Sequence, residues 1–139
     1  MQEQNYGNHK RLHPLFHFIG FPLALITWIA SIVYFIMTIS WVSFFAVIAA
    51  TSLIITFFLT RLYATKLQDR IIRNEENFRH YMLTGDTLDP RLTASQVVAL
   101  RFAGDAEFPA LCKKAAKENL QPADIKKAIK QWRADEHRV

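Results

Sequence analysis

Hydrophobic positions run without interruption through the first part of the chain and become periodic in the second. From Leu12 to Thr60 there is no Asp, Glu, Lys or Arg, a stretch of 49 residues. As one helix it would extend about 73 Å, more than twice a hydrocarbon core of roughly 30 Å, so it must fold back on itself. Thr38, Ser40 and Ser43, gathered around Trp41, mark the turn. Two membrane spans are expected, at about 15–38 and 43–60, with Trp41 at the far interface, where indole rings prefer to lie. The apolar run is too long for the core of a signal peptide, and a second span follows it directly.

Beyond the second span no Gly or Pro interrupts the chain until Gly85. Ala64, Leu67, Ile71, Asn74, Phe78 and Tyr81 recur at alternating spacings of three and four, the pattern of one helix face. Asp69–Arg73 and Glu75–Arg79 are four apart in the favourable orientation. The pattern predicts that the second span continues as a helical stalk over 61–84. Its stripe reads either as a coiled-coil seam with one polar position, Asn74, or as the face on which the chain's own tail packs.

Residues 84–91, with Gly85, Asp86, Asp89 and Pro90, break the helix. Three short helices are expected after it. Thr93 and Gln96 have capping-box spacing at the first, which should run to about Ala103, where Gly104 stops it. Asp105 should cap the second, reaching about Asn119, and Pro122 should open the third, reaching about Ala134. Their apolar positions are Val97 and Leu100; Phe108, Leu111 and Ala115; and Ile125, Ala128, Ile129 and Trp132. The fold class is thus an all-α membrane protein. An N-terminal arm (1–14) precedes a transmembrane hairpin (15–60), a helical stalk (61–84) and a three-helix tail domain (85–139).

Charge sharpens the topology. The net charge is +5, and every charged residue lies outside the apolar block. Lys10 and Arg11 precede the first span, Arg61, Lys66, Arg70 and Arg73 follow the second, and the turn carries none. The positive-inside rule places both termini in the cytoplasm. Gly20, Ala24, Thr27 and Ser31 form a small-residue seam on the first span, and Ala46, Ala49, Thr56 and Thr60 a comparable one on the second. Small residues let helix backbones approach, and hydroxyls can bond across. No ionisable side chain lies deep in either span, which disfavours a carrier or pump.

Candidate chemistry is sparse. The single cysteine, Cys112, excludes an internal disulfide. His9, His13 and His17 are spaced four apart, but Pro14 separates the first two from any helix carrying the third. No phosphate loop, zinc spacing or nucleophile motif is present, so neither a cofactor nor a catalytic residue is expected. Trp132, Lys126, Lys130 and Arg133 are the candidate interaction residues of the tail. The three basic ones form a face opposite the apolar one of the last helix, extended by Lys113, Lys114 and Lys117. A solvated face, anionic lipid head groups, nucleic acid and a protein partner are the competing readings, and interleaved Asp124, Asp135 and Glu136 argue against phosphate contact.

Several segments carry a resemblance. They are the opening Glu3-Gln-Asn-Tyr-Gly-Asn-His-Lys-Arg11 with Pro14-Leu-Phe-His-Phe18, and Tyr63-Ala-Thr-Lys-Leu-Gln-Asp-Arg-Ile-Ile-Arg73 after the membrane. Ala99-Leu-Arg-Phe-Ala103 and Ile125-Lys-Lys-Ala-Ile-Lys-Gln-Trp-Arg-Ala-Asp135, ending in Arg138-Val139, complete them. End to end the chain resembles a family of small, functionally uncharacterised bacterial membrane proteins. The resemblance implies an inner-membrane protein with two spans and a cytoplasmic helical tail, and it carries over no functional residue. The expected function is a non-catalytic membrane-anchored accessory or scaffold protein, a subunit of a larger membrane complex or a homo-oligomer. The alternative is a membrane-tethered nucleic-acid or regulatory binding module using the basic tail.

Overall fold

Pro22 shapes the start of the first apolar helix. Its nitrogen has no hydrogen to give to the carbonyl of Phe18, and its ring crowds that carbonyl. The chain answers with a wider coil: Leu15–Gly20 is π-helical, with the Phe21 amide donating to the Phe16 carbonyl five residues back. An α-helix, α1, follows over Phe21–Met37. The computed structural model describes residues 13–134. Most of the N-terminal arm, with His9, Lys10 and Arg11, and the closing Asp135 and Glu136 lie outside the described residues. Five α-helices and the π-helical stretch make up the regular structure among those described.

α1 ends where Thr38 turns extended. Ser40 and Ser43 then start α2, Trp41–Thr84, by reciprocal capping. The Ser43 amide donates to Ser40 Oγ (3.2 Å) and the Ser40 amide to Ser43 Oγ (3.0 Å). The Ser43 hydroxyl donates in turn to the Thr38 carbonyl at 2.6 Å. The two serines thus satisfy amides and a carbonyl that a turn within an apolar block would leave unpaired. Leu15–Met37 and α2 are each long and apolar enough to cross a membrane. Only 6% of the most apolar window of either is buried within the protein. α2 runs unbroken for 44 residues, so the expected second span and stalk are one helix.

The described residues form two compact units, one up to residue 64 and one from residue 65. In the first, the two apolar helices pack through aromatic rings and small residues. Phe16 stacks on Phe57 with ring centroids 4.4 Å apart, and Phe21 meets Phe58 edge-on at 5.8 Å. Trp28 Nε1 donates to Thr51 Oγ1 at 3.0 Å, which satisfies an indole N–H set among apolar side chains.

In the second unit, Gly85 ends α2 with a positive φ of 80°. The following loop is fastened to the helix it leaves. The Leu88 amide donates to Asn77 Oδ1 (2.9 Å), and His80 Nδ1 donates to the Asp86 carbonyl (2.8 Å). Then come α3 (Ala94–Leu100), α4 (Phe108–Glu118) and α5 (Pro122–Ala128). Thr93 and Gln96 form both halves of a capping box on α3. Leu92, Val97, Leu100, Phe102, Phe108, Leu111, Cys112, Ala115, Ile125 and Ile129 make one buried core.

Three helix boundaries differ from the sequence-based expectation, each for a tertiary reason. α4 begins at Phe108 and has no side-chain cap, because Asp105 is turned to Arg79 instead. α3 stops at Leu100, before Gly104, and α5 stops at Ala128, well short of Ala134. Both leave the helix to pair with each other. The Gly104 amide donates to the Gln131 carbonyl (2.8 Å), the Arg133 amide to the Phe102 carbonyl (2.7 Å), and Ala103 faces Trp132 as an antiparallel bridge. The Glu107 carboxylate takes the amides of Lys130 and Gln131. Gly104 suits this approach: a Cβ there would lie 3.2 Å from the Gln131 carbonyl oxygen, close enough that the facing backbone would have to shift.

The stripe Leu67, Ile71, Asn74, Phe78 and Tyr81 does not receive the tail and is exposed along its length. The buried positions of this part of α2 are Ile72, Glu76 and His80, on another side of the helix. Arg79 bonds to Glu76 and Asp105, not to Glu75 as the four-residue spacing suggested.

Candidate interaction surfaces

Three surfaces could carry an interaction: the seam between the apolar helices, the face of the tail, and the uncovered side of α2. On the first helix Gly20 and Ala24 lie in the helix contact. A Cβ on Gly20 would sit 3.1 Å from the Phe57 ring, and Ala24 is buried. Ser31 is half-buried and spends its hydroxyl on the Trp28 carbonyl (2.7 Å). Thr27 is a correction to the seam: it is exposed, and its hydroxyl donates to the Leu23 carbonyl of its own helix (2.8 Å). A bond within the helix needs no facing partner. Opposite, Ala49, Thr56 and Thr60 are exposed, and the inward row holds Val47, Ala50, Thr51, Ile54 and Phe57. The seam of small residues is therefore partial, and aromatic rings fill the rest.

The tail residues separate once α5 is seen to end at Ala128. Trp132 lies in the irregular segment after it, half-buried, with its ring 5.2 Å from that of the buried Phe102. Ala128, expected inside, is exposed. Lys126 reaches over the Phe102 ring at 5.8 Å. Arg133 approaches Glu76 at 3.8 Å. Lys130 is exposed, with its backbone amide on Glu107. The expected basic face of one helix is thus not a single face, since Lys130 and Arg133 are not on a helix at all. Lys113, Lys114 and Lys117 remain exposed on α4.

Where α2 meets the 103–108 segment lies a charged network that the sequence pattern did not reveal. Arg79 Nη1 donates to Glu76 Oε2 (2.9 Å), Nε to Asp105 Oδ1 (2.8 Å) and Nη2 to the Ala103 carbonyl (2.7 Å). Its guanidinium also covers the Phe108 ring at 4.3 Å. The side chains of Arg79 and Glu76 are only 11% and 8% exposed. Burial raises the carboxyl pKa of Glu76, against the opposing pull of Arg79 and Arg133. The nearby Cys112 thiol is pushed up to about 12, first by burial and then by the Glu76 charge. A thiol so held is a poor nucleophile. The only signal in the sequence was the position of Glu76, off the apolar stripe and three residues before Arg79.

Asp89 and Arg91 form a local pair on the loop, and hydrogen bonding to Arg91 lowers the Asp89 carboxyl to about 2. Among the described residues no group of three or more His, Cys, Asp or Glu could hold a metal ion. The ionisable groups of the tail that lie closest together are committed to one another as structural pairs.

Over residues 1–139 the chain matches the Family of unknown function (DUF6526), and it belongs to that family. No curated protein and no solved structure matches it.

Proposed function

We propose that this family member is a non-catalytic, membrane-anchored accessory or scaffold protein of the bacterial inner membrane, with both termini in the cytoplasm. The observation that carries the reading is the contrast between the two parts of the chain. Leu15–Met37 and the first part of α2 bury almost nothing within the protein, so their Phe, Ile, Leu and Val side chains call for lipid or other membrane helices. Residues 85–134, by contrast, close a core around Phe102 and Phe108 against α2. An anchor joined to a compact tail is the form of a docking subunit.

The basic residues Arg61, Lys66, Arg70 and Arg73 after the second span, and the uncharged turn at 38–40, support the cytoplasmic placement of the tail. Reporter fusions at Val139 and at Ser40 test it: the first should read inside and the second outside. A reporter at Val139 that reads outside would overturn the hairpin.

The exposed lysines Lys113, Lys114 and Lys117 favour a second reading, a tethered nucleic-acid or regulatory binder. It requires affinity for duplex DNA that falls steeply with salt. Titration of the full chain in detergent at two salt concentrations separates the readings: no salt-dependent binding leaves the scaffold.

A further inference from the structure

The side of α2 that the tail leaves bare has the pattern of a dimer seam. Leu67, Ile71, Phe78 and Tyr81 are each between 49% and 65% exposed. In heptad terms Ile71 and Phe78 take a positions, and Leu67, Asn74 and Tyr81 take d positions. The tail occupies the b, c and f positions Ile72, Glu76, Arg79 and His80, where Glu76 and Arg79 join it by ion pairs. Docking of the tail and a seam at a and d are therefore compatible on one helix. A β-branched residue at a next to Leu at d, as in Ile71 and Leu67, favours two parallel strands.

We propose that the occupant of this face is a second copy of the chain, paired in parallel and in register along Leu67–Tyr81. The flanking charges select that partner. Arg70 takes a g position and Glu75 the following e position, so in a parallel dimer Arg70 of each copy meets Glu75 of the other. Both are exposed, and among the described residues neither has an ion-pair partner. Asn74 sets the register. In register its amide meets its own counterpart, whereas a shift by one layer sets it against Ile71 or Phe78 and leaves a polar group unpaired. Two heptads alone would associate weakly. Two chains inserted in one membrane with the same topology are parallel already, and confinement raises their effective concentration. The inference rests on the membrane-anchored reading and names its first partner.

The test uses the full chain in membranes, in a Cys112→Ala background. Ile71→Cys should form a disulfide-linked dimer on oxidation, and Lys66→Cys, at a c position, should form at least roughly tenfold less. Adding Arg70→Glu to Ile71→Cys should lower the yield several-fold, since two attractive pairs become repulsive, and Glu75→Arg on top of it should restore the yield. Limited proteolysis of the tail, unchanged across the set, shows that these exposed substitutions leave the fold intact. Equal crosslinking at Ile71→Cys and Lys66→Cys, a crosslink to a different protein, or no crosslink in a chain that inserts with Val139 inside would each overturn the dimer while leaving the anchor. A chain that does not insert removes the shared premise and overturns both.

Discussion

Replacing Arg79 by Met would leave Glu76 buried beside an apolar side chain. Glu76 would keep only Arg133, at 3.8 Å on a half-exposed side chain. Removing one partner of a buried pair typically costs about 3–5 kcal/mol. The Ala103 carbonyl would also lose its donor, about 1 kcal/mol, and Phe108 its cation, while the Met stem recovers some packing. These contributions are not additive, and we take about 3–4 kcal/mol for the whole. The assay is the labelling rate of Cys112, the single thiol of the chain, which is 2% exposed and reacts only when the tail opens. With roughly 1.4 kcal/mol per decade, Arg79→Met should label about 140- to 700-fold faster than the parent in detergent. Adding Glu76→Leu should undo most of this, because a buried pair replaced by apolar groups is close to neutral. The double variant should label within about tenfold of the parent. An Arg79→Met chain that labels at the parental rate, or a double variant that labels as fast as the single, would refute the role given to this network.

Trp132→Ala should destabilise the tail by about 2–3 kcal/mol, less than a fully buried tryptophan because the ring is half-buried, and Cys112 labelling should accelerate accordingly. Gly104→Ala should cost about 1–2 kcal/mol by pushing the Gln131 backbone away, with protease sensitivity appearing after Ala128. The pH dependence follows from Glu76: because burial raises its folded pKa above 4.5, the folded tail binds more protons between the two values. That contribution to stability is full below about pH 4.5 and is lost as pH rises through the folded pKa. Urea unfolding of the tail should show this slope in the parent and lose it in Glu76→Gln.

The hairpin and the long second helix were legible because they depend on composition alone. A charge-free run of 49 residues is too long for one apolar helix of ordinary span, the serines mark where it turns, and the run without Gly or Pro from Trp41 to Thr84 carries no helix breaker. The serine turn and the Thr93 capping box were legible too, since caps act over three residues. Boundaries decided by partners distant in the chain were not. Ile129, Lys130, Gln131 and Trp132 have nothing against a helix, yet they leave it because Glu107 takes two of their amides and the 102–104 segment pairs with them. Asp105 has the local makings of a cap and goes to Arg79, 26 residues away, where a guanidinium offers a charged bond. The contacts between the apolar helices include those of Gly20 and Phe16 with Phe57 and of Trp28 with Thr51, and aromatic side chains that a spacing rule for small residues does not read make most of them. Periodicity identified an apolar stripe on α2 but could not say what covers it. That depended on which side the tail took, and buried ion pairs at Glu76 and Arg79 took the side away from Ile71 and Phe78.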